Sequence, residues 1–203
     1  MSGPMLLQAS GLLKAYARRS VLTGVDLSVA AGELVGVVGE NGSGKSTLLK
    51  VLGGEIAADG GNVLRHGRLG YCPQEALVFE TLTVCENVAY FAAAYGVTEW
   101  RRALGQLGER FRFARYGNTP VGDLSGGNRQ KLNLVLALLH DPDLLLLDEP
   151  YAGFDWETYL LFWDYAEELR SRGRGALVVS HLVYERERFD RIYELHEGRL
   201  RCA

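Results

Sequence analysis

Three cysteines, two methionines and five prolines are all that the 203 residues contain of those types. Cys72, Cys85 and Cys202 stand at spacings that match neither a zinc site nor a disulfide framework. They read as buried or bystander thiols in a reducing compartment. No apolar run approaches the roughly 20 residues of a membrane-spanning helix, and the longest, 134–139 and 144–147, fall far short. The N-terminal M-S-G-P-M-L-L-Q has neither the basic start nor the apolar stretch of a secretory signal. Charge of one sign is also missing. Lys plus Arg number 22 and Asp plus Glu 25, a net of −3, which lacks the basic excess of a general nucleic-acid binder. These absences predict a cytoplasmic chain that does not cross a bilayer by itself and takes no nucleic acid partner, while leaving room for a polyanion at one small site.

What is present is an ordinary globular composition, 47% hydrophobic and 23% charged. The length predicts one domain with at most a small insertion, able to bury about 70% of its unfolded surface. Short alternating apolar runs over residues 5–35, broken at Gly11, Gly24 and Gly32, predict antiparallel strands. Leu34 to Val38 reads as a buried strand, followed by a glycine-rich loop and a helix from Ser46 to Leu52. Thr83 and Glu86 have capping-box spacing, and Val84, Val88, Phe91 and Tyr95 recur at helical intervals. The stretch 83–115 thus reads as helical and inserted. A second helix carries Leu132, Val135, Leu136 and Leu139 on one face and stops at Asp141-Pro142. Leu144–Leu147 and Ala176–Ser180 read as buried strands, Trp156, Tyr159, Leu160 and Trp163 as the face of a helix, and 192–201 as a hairpin turning at Glu197-Gly198. Strands alternating with helices predict an α/β fold with a mainly parallel sheet.

Two segments carry chemistry. Residues 39–47 read G-E-N-G-S-G-K-S-T, which fits G-x-x-x-x-G-K-[ST] between a predicted strand and a predicted helix. Gly39, Gly42 and Gly44, among Glu40, Asn41 and Ser43, let the backbone curl so that successive N–H groups face a polyphosphate, with the helix dipole behind them. Lys45 can reach the β- and γ-phosphates, and the hydroxyl of Ser46, next to Thr47, can ligate Mg²⁺. The second segment is Asp148-Glu149-Pro150, where a buried strand ends in two carboxylates. Such an end lies at the ligand-binding edge of an open parallel sheet. There Asp148 suits Mg²⁺, and Glu149 can polarise an attacking water as general base.

With these two segments in place the sequence resembles the ATP-binding cassette (ABC) family. Residues 124–128 read L-S-G-G-N, similar to the family signature L-S-G-G-Q, with Asn128 in place of Gln. The resemblance implies that Ser125, Gly126 and Gly127 cap the γ-phosphate of ATP held by an opposite subunit. It further implies that Gln74 of Y-C-P-Q touches Mg²⁺ or water and links the site to a helical subdomain. Asp155 of A-G-F-D would bridge two subunits, His181 would sense the γ-phosphate, and Tyr16 would stack on adenine. The likeness runs from about Leu6 to Leu200.

The implied fold is a phosphate-loop NTPase core with an N-terminal antiparallel β subdomain and a helical subdomain, about 76–139, inserted in a single 1–203 cassette. The implied function is ATP hydrolysis in a head-to-tail pair of cassettes, with Glu149, His181 and Lys45 catalytic and Ser46, Gln74 and Asp148 on the metal. Separate transmembrane permease subunits would receive the work, in an exporter, through a groove over residues 74–87 where Phe79 and Tyr90 are candidate contacts. Tyr90 is expected instead to belong to the subdomain core. An ABC ATPase without a transport role, as in iron–sulfur assembly, is the alternative. A phosphate-loop kinase or GTPase would lack L-S-G-G-N, and no N-K-x-D motif occurs.

Overall fold

Alternation of apolar and polar residues near the start of the chain produces two long strands, β1 (Met5–Tyr16) and β2 (Arg19–Ala30). They pair antiparallel, and β4 (Gly60–Arg65) joins the other side of β1 to give the order β2-β1-β4. The structure, a computed structural model, describes residues 3–17, 19–181 and 186–203.

The second sheet contains β3 (Leu34–Val38), β5 (Leu69–Cys72), β6 (Leu144–Asp148), β7 (Gly175–Ser180), β8 (Arg191–His196) and β9 (Arg199–Cys202), in the order β5-β6-β7-β3-β8-β9. Every pairing is parallel except the β8–β9 hairpin. All residues of β6 and β7 are buried, because both faces of this sheet are covered. Leu144 and Leu146 point into a cluster with β1, β2 and helix α1 (Lys45–Gly53), while Leu145 and Leu147 point into another with helices on the far side. Period-two side-chain direction thus assigns alternate leucines of one short run to two different cores.

A third cluster holds the helical region. Helix α2 (Val84–Tyr95) starts at Thr83, whose side chain accepts from the Glu86 N–H while the Glu86 carboxylate accepts from the Thr83 N–H. Gly96 ends it in the left-handed conformation, and α3 (Trp100–Arg110) follows. Val84, Val88 and Ala92 of α2 pack with Phe113, Val121 and Leu124, and with Leu132, Leu136 and Leu139 around helix α4 (Gly126–Leu138). The opposite side of α4, through Leu134, Val135, Ala137 and Leu138, packs on the sheet with Phe162 and Trp163 of α5 (Trp156–Ser171). One helix therefore serves two cores.

Two expectations are corrected. Tyr90 is 56% exposed and stands edge-on to Phe79, with ring centroids 4.8 Å apart. Two residues beyond Val88 is about 200° around a helix, so Tyr90 faces away from the packed stripe. Trp156 is 68% exposed. It is the first residue of α5 and stacks on Tyr159, while Thr158, Phe162, Trp163 and Leu169 make the buried face.

Candidate functional site

The strand order β6-β7-β3 sets three carboxyl ends side by side. Asp148 pairs with Val179 and Val38 with Ser180, so the glycine loop, the acidic pair and Ser180-His181 emerge at one level of the sheet edge.

Gly42 and Gly44 sit at φ 78° and 106°, a backbone region that favours glycine. A Cβ on Gly39 would lie 2.6 Å from the Leu195 carbonyl oxygen, and one on Gly44 would lie 2.8 Å from Val21 Cγ1. The Leu48 N–H bonds back to the Gly44 carbonyl at 2.8 Å. The amides of Lys45, Ser46 and Thr47 belong to the first turn, where a helix has no internal acceptors to offer. Lys45 Nζ donates to the carbonyls of Gly39 (2.7 Å) and Glu40 (2.9 Å). Burial draws the Lys45 pKa below the usual lysine value, against the opposing pull of the Glu149 and Asp148 carboxylates. Ser43 N–H donates to the Glu40 carbonyl, and the buried Ser43 Oγ has no partner among the described residues. A ligand with several acceptor oxygens would answer that surplus of donors.

Asp148 is buried, which raises its carboxyl pKa, with a hydrogen bond to Ser46 acting the other way. Glu149 has φ 48°, unusual for a residue with a side chain, and its N–H donates to the Val179 carbonyl at 2.9 Å. Its carboxylate is held on both oxygens. Ser180 Oγ lies 2.9 Å from Oε2, and His181 N and Nδ1 lie 2.6 Å and 2.9 Å from Oε1.

Tyr16, Gln74, Asp148 and Glu149 join Asn41, Gly42 and the segment from Gly44 to Thr47 around a cavity of about 580 Å³. Arg19, which no motif marked, lines it too and reaches the Gly42 carbonyl at 3.3 Å. Ser125, Gly127 and Asp155 lie elsewhere, around a cavity of about 820 Å³ that also takes in Asn128, Lys131 and Gly153. Ser125 caps α4, and Gly126 is the first residue of that helix. Gly127 packs so closely that a Cβ would fall 2.3 Å from the Gly153 carbonyl oxygen. Asp155 caps α5 through the Thr158 N–H at 2.8 Å and pairs with Lys131 Nζ at 3.4 Å. The Thr158 bonds are the main cause that holds its carboxyl at a pKa of about 2. The two cavities share no lining residue.

Sequence reading also missed the bonds that Ser180 and Gln130 make to Glu149 and that Asn133 makes to Pro73. The two amides are nearly fully buried, Asn133 among the apolar residues 132–138 of α4 and Gln130 just before them. Polar side chains inside a buried stripe were the available signal.

A phosphate-type glycine loop beside an acidic strand end, with a separate helical unit that presents a second glycine-rich helix start, defines an ATP-binding cassette of the ABC ATPase class. The chain belongs to the ABC transporter family, whose model matches residues 22–152. It is 38% identical over 190 residues to the mouse (Mus musculus) ABC-type organic anion transporter ABCA8B, covering 88% of this chain and 12% of that protein. Over 201 residues it is 35% identical to the Nod factor export ATP-binding protein I of Burkholderia orbicola, covering 92% of this chain and 66% of that protein. The chain thus spans less than two thirds of the length of both curated relatives. A solved structure described as the ATP binding subunit of an ABC transporter superposes with a TM-score of 0.90 at 31% identity, covering 96% of this chain and 88% of that one.

Proposed function

We propose that this cassette binds ATP in the 580 Å³ cavity, hydrolyses it there and powers separate transmembrane permease subunits of an exporter. The observation that carries the catalytic part is the Glu149 carboxylate. It lines the same cavity as Lys45 and is oriented by Ser180 and His181. In this reading the amides of 42–47 and Lys45 bind the phosphates. Glu149 accepts a proton from the attacking water, and His181 holds that carboxylate in place while facing the γ-phosphate. Tyr16, half exposed at the cavity rim, offers its ring to the adenine.

Ser46, Asp148 and Gln74 line one cavity with a hydroxyl, a carboxylate and an amide, the hard oxygen donors that suit Mg²⁺. They would hold that ion, which when bound supplies charge neutralisation to the phosphates.

Ser125, Gly127 and Asp155 open on a different cavity from the phosphate loop of their own chain, and Gly126 stands between the first two, which supports pairing with a second cassette head to tail. Residues of about 76–139 act as the helical subdomain, with α4 tying it to the sheet. Contact with a membrane would come through the permease alone. That the Burkholderia relative is named an export ATP-binding protein supports the exporter reading.

The test is Glu149→Gln, which keeps size and removes the base. We expect it to bind ATP within a few-fold of the parent and to lose about 100-fold or more in kcat. It should also accumulate as an ATP-bound pair in size-exclusion chromatography. Turnover at the parental rate would remove Glu149 from the role of base.

A further inference from the structure

Helix α4 sends two amide side chains between two segments that meet at the nucleotide cavity, the one before Gln74 and the one at Glu149. Gln130 is 7% exposed and Asn133 4%, and they stand three residues apart on one side of the helix. Gln130 Nε2 donates to the Glu149 carbonyl at 3.3 Å and lies 3.9 Å from Cys72 Sγ. Asn133 Nδ2 donates to the Pro73 carbonyl at 2.6 Å and to Gln130 Oε1 at 3.4 Å. A continuous line of hydrogen bonds therefore runs from the peptide just before Gln74, through two buried amides, to the peptide of Glu149.

We infer that Gln130 and Asn133 are positioning residues that set the Gln74 segment and the Glu149 segment relative to each other. The inference rests on the proposed hydrolysis at that site.

Three features carry it. Buried amides are costly unless paired, and hydrophobic side chains would fill these two places at less risk. Their polarity is concentrated on two carbonyls, each adjoining or belonging to a residue of the nucleotide cavity. Glu149 has a left-handed backbone, a conformation that persists only where its surroundings over-determine it. Its carbonyl accepts from Ala152 N–H at 3.0 Å as well as from Gln130, so the amide adds a second restraint. The helix that supplies the relay is also the one shared between the helical cluster and the sheet. A small shift of α4 would then move the Pro73 and Glu149 peptides together rather than separately. Catalytic geometry is sensitive to displacements of about 1 Å, so the relay would act on turnover more than on affinity.

The experiment uses the full chain with whatever partners it needs for turnover. Asn133→Ala removes the bond to Pro73 and keeps a good helix former. Gln130→Leu removes the bond to Glu149 at similar volume. We expect each to lower kcat by roughly tenfold while leaving KM for ATP, and binding of a non-hydrolysable ATP analogue, within about twofold. The double variant should be hardly slower than either single one, because both break one relay. Asn133→Gln, which retains a donor, should recover part of the rate. Parental kcat in either single variant would overturn the inference. So would losses that multiply in the double variant. Loss of analogue binding together with thermal stability in both variants would also overturn it, since that pattern belongs to packing alone. An unsubstituted chain without ATPase activity would instead strike the proposed hydrolysis.

Discussion

At the scale of single residues, the site depends on side chains whose charge or backbone state would be unfavourable without their neighbours. Lys45 is held inside by two carbonyls and Glu149 by a serine and a histidine. Asp155 is the case where charge becomes a stability statement. Its folded pKa of about 2 lies below the ordinary 3.8, so its contribution is complete above about pH 4. That contribution is lost as the pH falls through 2. Asp155→Asn retains a cap oxygen but not the charge. We expect the parent to show a higher urea midpoint than Asp155→Asn at pH 6, with the gap narrowing below pH 4 and closing only below pH 2. A gap that stayed constant across that range would contradict the assignment. The sequence exposed Asp155 and Lys45 through motif spacing. It did not expose Ser180, because the bond to Glu149 spans 31 positions and no local pattern encodes it.

At the scale of elements, α4 bears two duties, and its two faces can be tested separately. Leu132 is fully buried in the helical cluster. Leu132→Ala should cost about 2–5 kcal/mol by lost transfer energy and the cavity left behind, read by denaturant unfolding. A loss under about 1 kcal/mol would mean that this cluster is not the close-packed core described. The elements that were legible in the sequence are those with strong local signals: the apolar run of β6, the capping box of α2, and the Glu197-Gly198 turn of the last hairpin. Strands β4 and β5 were not. β4 begins at Gly60-Gly61 and none of its residues is buried, so neither periodicity nor propensity marks it. Pairing with β1, some 50 residues earlier, creates it. β5 has only four residues and borrows its place from β6. Tyr90 misled for a related reason. Its aromatic character suggested burial, whereas its helical angle pointed outward.

At the scale of the whole molecule, Leu77, Phe79 and Tyr90 lie exposed shortly after Gln74. Among the described residues no helix is long and apolar enough to cross a membrane. If a permease covers this patch, affinity purification of the tagged chain from its own cells should recover a protein with several membrane spans. Phe79→Ala with Tyr90→Ala should reduce that recovery. Recovery of partners without membrane spans alone would overturn the permease reading. The separation of the two cavities has one more consequence, which is genetic. If two copies of this chain pair head to tail as proposed, each complete site would borrow parts from both, so a defective copy would spoil sites that also contain sound parts. In a cell making sound and defective chains equally, only about a quarter of the pairs would be wholly sound. Alleles altered at the glycine loop or at Ser125 would then behave as partially dominant.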